Sequence, residues 1–457
     1  MSDPTAYVLE RAWVDGEVQD DVRVEISDGR FTSVTPSPDS RRSVGVATPP
    51  QRRDPRSAGD PNGAPTYLHG LTIPGLANCH SHAFHRALRG RTQRDRGSFW
   101  TWREQMYGVA ARLDPDSYLE LATVTYREMA AAGITGVGEF HYLHHQPDGT
   151  PYADPNAMGH ALIEAAGRAG IRITLLDTCY LSSGFGAPPE GVQVRYDDGS
   201  AAAWVDRVTA IRASDNVRLG AAIHSVRAVP RDQLGEVRTA AEERPLHVHL
   251  SEQVGENDAC VRAYGATPTQ VLAEAGVLGP MTSAVHATHL TAPDVRLLGE
   301  SSTYACFCPT TERDLGDGIG PSRALHDAGS ALTLGSDSHA VVDLFEEMRA
   351  VELDERLATQ RRGHWTAAEL LVAGTRHDSL GWDDAGAIAV GQRADLVTLA
   401  TDHVRTAGTG GDEQTAVFAA AAENVTHVVA DGRVAFREGD REQLGRDLAD
   451  VIGRLSP

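Results

Sequence analysis

The sequence predicts an α/β protein: a (β/α)8 TIM-like barrel with a small β-sandwich domain built from both chain termini. Three observations predict it. Eight short apolar runs alternate with helical stretches between residues 71 and 339. Both chain ends instead carry alternating runs broken by Asp-Gly turns. Histidines and carboxylates gather where the apolar runs stop, which in such a barrel is the face that carries chemistry. The expected division is 1–70 for the N-terminal part of the small β-domain, 71–380 for the barrel, and 381–457 for the rest of the small domain plus a C-terminal helix.

The elements follow in order. YVLERAWV, VRVEI and FTSVTP, within residues 6–35, are separated by Asp15-Gly16 and Asp28-Gly29. Asp-Gly between alternating runs signals a hairpin. Residues 36–66 are rich in Pro, Arg, Ser, Asp and Gly without an apolar period, so a disordered insertion is expected. The eight barrel strands are expected at 71–80, 136–142, 171–180, 217–224, 245–252, 282–290, 303–310 and 331–339. Asp114-Pro115 caps a helix over 116–131, with Gly133 beyond it and Leu119, Ala122, Tyr126 and Met129 on its buried face. Gly170 closes the helix before the third strand. The segments 385–400 and 426–439 again read as strands and are expected to pair with the N-terminal ones.

Composition excludes several classes. The 457 residues suit a large barrel plus a smaller domain. No apolar run approaches the roughly 18 residues of a membrane span. MSDPTAYVLERAW lacks a basic region followed by an apolar one, so no secretory signal is expected. The five cysteines, Cys79, Cys179, Cys260, Cys306 and Cys308, are scattered and make no disulfide framework. A cytoplasmic location is the expectation. The net charge of -21 argues against a nucleic-acid partner. It leaves room for a small anionic substrate held by a few arginines. The chain has no lysine, so a carbamylated lysine bridging two metals is impossible.

The site reading begins at His80-Ser81-His82. Alternate strand residues share a face, so two imidazoles aim at one point, a spacing that suits a metal. His-x-His alone is weak; the other strand ends give it weight. Glu139, His141 and Tyr142 end strand 2, His224 and Arg227 follow strand 4, and His247, His249 and Glu252 end strand 5. His286 and His289 lie on strand 6, and Asp337 and His339 end strand 8. His80, His82, His249 and Asp337 make the expected set for one divalent metal, Zn²⁺ first and Fe²⁺ second, with a position open for water. Such an ion lowers the pKa of that water. His249 is preferred to His247 because Glu252 follows it closely. That choice requires the chain to leave the strand before 252, since strict alternation would turn Glu252 to the other face. Cys306 and Cys308 read as buried strand residues, because no second cysteine pair exists.

At these residues the sequence resembles the amidohydrolase superfamily: His-x-His after strand 1, His after strands 5 and 6, Asp after strand 8. Within it, HSHAFHRALRG (80–90), FWTWRE (99–104), EFHYLHH (139–145), HSVRA (224–228), HATHLT (286–291), CPTTERDLGDGIGP (308–321) and GSDSH (335–339) are similar to the formimidoylglutamate deiminase family. The similarity runs from about residue 70 to 361. It implies a homodimer and a one-metal enzyme of histidine breakdown. The implied reaction hydrolyses N-formimino-L-glutamate to N-formyl-L-glutamate and ammonia. It implies that Glu252 protonates the imino nitrogen, that His286 orients the nucleophile and stabilises the tetrahedral intermediate, and that Asp337 carries the water proton to the leaving nitrogen. Arg227 and Arg103 are the implied forks for the substrate carboxylates, with Tyr142, His224 and His85 assisting. Two positions depart from the family pattern: His85 stands where Gln is frequent, and Arg89 where a small residue is common. A nucleobase deaminase would share the metal set but would not need Arg103 and Arg227. A formimino-aspartate hydrolase is a closer rival. A non-catalytic relative would have lost the ligands, and all are present.

Overall fold

The structure, a computed structural model, describes residues 5–36, 65–93, 96–97 and 99–455. Of the expected insertion at 36–66, residues 37–64 lie outside the described residues. Both chain ends meet in one seven-stranded mixed sheet. Its strands are β1 (Thr5–Val14), β2 (Glu17–Ser27), β3 (Arg30–Pro36), β4 (Thr66–Pro74), and, from the C-terminal segment, β13 (Leu396–Leu399), β14 (Val425–Ala430) and β15 (Arg433–Arg437). They are bonded in the order β15-β14-β13-β4-β1-β2-β3, so the expected sandwich takes the form of one continuous sheet. Its own core combines Leu9, Val22, Val24 and Phe31 with Ile388, Leu396 and Val429. The turns at Asp15-Gly16 and Asp28-Gly29 place both residues of each pair at positive φ, as tight hairpin turns require.

Eight parallel strands make the barrel: β5 (Leu76–Ser81), β6 (Ile134–His141), β7 (Arg172–Cys179), β8 (Val217–Ile223), β9 (Leu246–Leu250), β10 (Thr282–His286), β11 (Tyr304–Phe307) and β12 (Leu332–Leu334). They follow one another in chain order around the sheet. The run at 71–80 divides. Leu71 to Pro74 ends β4 in the small sheet, and the chain turns at Gly75 into the barrel. The changeover therefore falls at 75 rather than 71. Only glycine fits there, because a Cβ would lie 2.1 Å from Thr135 Oγ1 and 2.8 Å from Asp395 Cβ. The same joint holds a buried ion pair. Asp395 accepts from Thr135 Oγ1 at 2.9 Å and from Arg172 Nη1 at 3.0 Å, and Arg172 also reaches Asp431.

The helices follow their caps. Asp114 accepts from the Ser117 N–H, and Pro115 begins the helix Pro115–Ala131. Its buried face includes Ala122, Tyr126 and Met129 as expected, while Leu119 is only half-buried and Tyr118 and Leu121 take the core side. The C-terminal helix Arg441–Leu455 lays Leu444, Leu448 and Ile452 into the barrel's core cluster and pairs Asp447 with Arg127 at 2.7 Å. All five cysteines are buried thiols. Among the described residues, no helix is long and apolar enough to cross a membrane.

Candidate active site

The barrel seam makes the centre of the site. Strands β5 and β12 meet through a parallel bridge between Ser81 and Asp337, with Asp337 N–H donating to the His80 carbonyl at 3.0 Å and His82 N–H to the Asp337 carbonyl at 3.3 Å. Closure needs Gly335, where a Cβ would meet His80 Cβ, O and N at 2.7–2.9 Å. Asn78 ties the seam from below, donating to Ser336 Oγ at 2.7 Å and accepting from Ser336 N–H at 2.9 Å. One ligand atom from each of His80, His82, His249 and Asp337 lies within 4.8 Å of the others, all buried. Asp337 Oδ1 is 3.3 Å from Nε2 of both His80 and His82, and His249 Nε2 is 3.1 Å from His80 Nε2.

The ring orientations suit a metal. His82 Nδ1–H donates to the Phe140 carbonyl at 2.9 Å, and His249 Nδ1–H donates to the His224 carbonyl at 3.0 Å. Each neutral ring then turns a bare Nε2 lone pair inward. Burial, with repulsion from His80 added, brings the His82 pKa down to about 3, so this ring is neutral as a ligand has to be. Burial pushes Asp337 up, but His80, His286 and His82 outweigh it and hold the carboxyl well below its usual range. Converging lone pairs and a carboxylate repel one another unless a cation joins them. The donor set, three nitrogens and one oxygen, fits a divalent ion.

Beside this set stand the acid–base groups. β9 ends at Leu250, and Ser251 turns with φ 51°, so the chain leaves the strand and Glu252 faces the pocket. His247 points elsewhere, with both ring nitrogens buried. His286 Nε2 lies 4.0 Å from Glu252 Oε1 and 3.8 Å from Asp337 Oδ2. Glu312 sits 3.4 Å behind its Nδ1. Burial disfavours the imidazolium, but Glu252, Glu312 and Asp337 outweigh it and hold the His286 pKa well above its usual value. Glu252 is pushed up by burial, opposed by His286. Ser251, His286, Ala287, Asp337 and His339 all have positive φ, a concentration of strained backbone at the strand ends. Glu139 buttresses the first ligand pair, accepting from Ser81 Oγ at 2.8 Å and Ala83 N–H at 2.7 Å. Cys308 lies close to His286 and Asp337, nearer the centre than its reading as a plain strand residue.

One pocket joins these groups to the proposed substrate contacts. His82, His85, Arg103, Tyr142, His224, Arg227, His249, Glu252, His286 and Asp337 all line it, and His80 lies wholly buried beneath. His85 Nε2 pairs with Tyr142 Oη at 3.0 Å, and Trp102 stands edge-on to its ring at 5.2 Å. Arg227 Nη1 is 3.9 Å from Glu256 Oε1, which burial, opposed by Arg227, pushes up to about 7. Arg89 lies away from the pocket, donating to Glu128 and to the His339 carbonyl. Sequence reasoning missed Tyr107 and Tyr180 in the wall. Each had a signal: Tyr107 lies one helical turn after Arg103, and Tyr180 ends the strand-3 run. His289 does not line the pocket; its carbonyl accepts from Asn257.

The amidohydrolase family model matches residues 71–435. Formimidoylglutamate deiminase of Pseudomonas aeruginosa is 37% identical over 85% of this chain and 90% of that protein. The 8-oxoguanine deaminase of the same organism is 30% identical over 84% and 86%. The crystal structure of an amidohydrolase from Brucella melitensis superposes with a TM-score of 0.85 at 28% identity, covering 99% of each chain. An adenosine deaminase from Xanthomonas campestris, solved with bound zinc, superposes with a TM-score of 0.80 at 23% identity over 99% and 98%, a likeness of fold. A barrel closed at a His-x-His/Asp seam and the family match over most of its length place this chain in the amidohydrolase family.

Proposed function

We propose that this protein hydrolyses N-formimino-L-glutamate to N-formyl-L-glutamate and ammonia. The observation that carries the reading is a single pocket with a metal-ligand set at its floor and Arg103 and Arg227 in its wall. A neutral base has no use for two guanidinium groups, whereas a dicarboxylate does. The 37% identity to a formimidoylglutamate deiminase supports the same substrate. On this reading the enzyme serves histidine breakdown, works in the cytoplasm and is a homodimer. Its domains divide at Gly75 and near 380.

His80, His82, His249 and Asp337 would hold zinc, with Fe²⁺ the second choice. A bound zinc ion supplies the Lewis acidity that makes water nucleophilic near neutral pH. Asp337 accepts a proton from the attacking water. Glu252 passes a proton to the imino nitrogen as the formimino carbon becomes tetrahedral. His286, whose charged form Glu252, Glu312 and Asp337 favour, donates to the attacking oxygen. Asp337 then delivers its proton to the same nitrogen. The carbon–nitrogen bond breaks and ammonia departs; the hydroxyl on the former tetrahedral carbon gives its proton back to Glu252, and the formyl carbonyl remains. Arg227 and Arg103 fix the two carboxylates, and His224, Tyr142 and His85 shape the path between them and the reacting carbon.

The test is ammonia release by the zinc-loaded protein from N-formimino-L-glutamate, with N-formimino-L-aspartate, guanine and 8-oxoguanine run in parallel. Fast and selective release from the glutamate compound is expected. A second reading, a base deaminase, has the 30% identity to an 8-oxoguanine deaminase behind it. Activity on a base alone would overturn the substrate assignment.

A further inference from the structure

Gln193 is buried and sits outside the pocket wall, between two phenols that belong to it. Its amide orientation is fixed. The backbone N–H of Glu190 donates to Gln193 Oε1 at 3.2 Å, and an N–H can only donate. Nε2 therefore faces the other way. It donates one hydrogen to Tyr107 Oη at 3.1 Å and the other to Tyr180 Oη at 2.7 Å. Tyr107 Oη also accepts from Arg103 Nε at 2.5 Å.

This fixes the polarity of both phenols. A phenol that accepts from Gln193 must send its own hydrogen elsewhere, and both phenols line the pocket. Burial, reinforced by Tyr107, pushes the Tyr180 pKa up to about 12, so that phenol keeps its proton at working pH. Two O–H donors then stand beside Arg103 and Arg227 in one wall. The ring contacts place this group away from the metal ligands. His224 packs on His249 at 5.1 Å, Tyr180 on His224 at 4.6 Å, and Gln193 lies beyond Tyr180.

We propose that Gln193 is a positioning residue that turns the hydroxyls of Tyr107 and Tyr180 into the pocket, completing with Arg103 and Arg227 a four-donor subsite for the carboxylate farthest from the metal centre. The inference deepens the proposed function and rests on it for the identity of the ligand. The subsite's donors are all N–H or O–H, so it selects an anion over an amide or an apolar end.

The experiment compares Gln193→Glu, which keeps the Glu190 contact but can no longer donate, with the Tyr107→Phe/Tyr180→Phe double variant. Each is assayed on N-formimino-L-glutamate and on N-formimino-L-norvaline, which lacks the side-chain carboxylate. Glutarate binding to the zinc-loaded protein is measured alongside. Gln193→Glu reverses both phenols onto the new carboxylate. It is expected to raise KM for the glutamate compound about 100-fold and to weaken glutarate binding similarly, with kcat and the norvaline KM within about twofold. The double Phe variant is expected to raise KM about 10- to 100-fold with the same split. If the wild type turns over the glutamate compound but both variants keep its KM, the subsite is overturned and the substrate reading stands. If the wild type is inactive on it yet both variants lose glutarate binding, the subsite stands and the substrate reading falls. A fall in kcat on both substrates, with KM unchanged, would assign Gln193 a merely structural role and overturn the proposal. Should Gln193→Glu not fold, the double Phe variant decides.

Discussion

The two ends of the pocket are built differently. At the metal end, the four candidate ligands sit at or just past strand ends, and backbone carbonyls of Phe140 and His224 set the rings of His82 and His249. At the arginine end, Arg103 and Tyr107 come from the helix Phe99–Ala110, Arg227 from the loop after β8, and Tyr180 and Gln193 from beyond β7. There, side chains position side chains. The first end follows from barrel closure and changes only if the seam changes. The second depends on how three connecting segments dock, so it can vary in specificity while the metal chemistry is kept. One relative, 30% identical, is an 8-oxoguanine deaminase, whose named substrate carries no carboxylate.

The comparison can be broken in order of expected effect. Asp337→Asn removes a proposed metal ligand and proposed proton carrier together. Activity should fall by several orders of magnitude with the fold retained, read by kcat and circular dichroism; near-normal turnover would remove Asp337 from the chemistry. Stripping the metal with a chelator should abolish turnover, and added zinc should restore it; activity unchanged after proven removal would sink the metal assignment. Glu252→Gln should lower kcat by about 10²–10⁴ while KM stays within a few-fold. Arg227→Ala, at the other end, should raise KM by about 10–100-fold with a smaller change in kcat. An unchanged KM there would erase the contrast between the two ends.

A control lies outside both ends. Asp395→Asn leaves Arg172 buried without its main partner at the joint between sheet and barrel, and should cost about 3–5 kcal/mol of stability with KM unchanged. Burial pushes Asp395 up, but Arg172 outweighs it and brings its pKa to about 2. A carboxyl depressed on folding stabilises above its unfolded pKa of about 3.9 and loses that contribution as pH falls towards 2. The wild type should therefore lose stability between about pH 4 and 2, and the Asn variant should lose less over the same window. Equal acid sensitivity in urea titrations of both would count against the assignment.

Much of the fold was legible because its rules are local. Asp-Gly turns, helix caps and alternation depend on neighbours, and they located most strands to within a few residues; the exceptions are 385–400, where only Leu396–Leu399 is strand, and 331–339, where only Leu332–Leu334 is. The least legible boundary was at 71–75, where an unbroken apolar run serves two sheets; only the pairing of Leu71 to Pro74 with β13 shows it. The metal quartet was legible for a similar reason. In a parallel barrel all strand C-termini face one way, so ligands could be picked from strand ends without knowing their contacts. Even Glu252 needed only a turn at Ser251.

By itself the sequence determined the barrel, the small terminal domain and the candidates for metal and proton transfer, because strand direction and period are properties of the chain. Tertiary structure alone decided the closing of the barrel between Ser81 and Asp337 and the polarity of the arginine end. Gln193 and Tyr107 stand 86 residues apart, and no local pattern says which atom of the amide faces the phenol. That choice arises only when the loop after β7 docks on the helix over the pocket, since a side-chain hydrogen bond is set by the partner that reaches it.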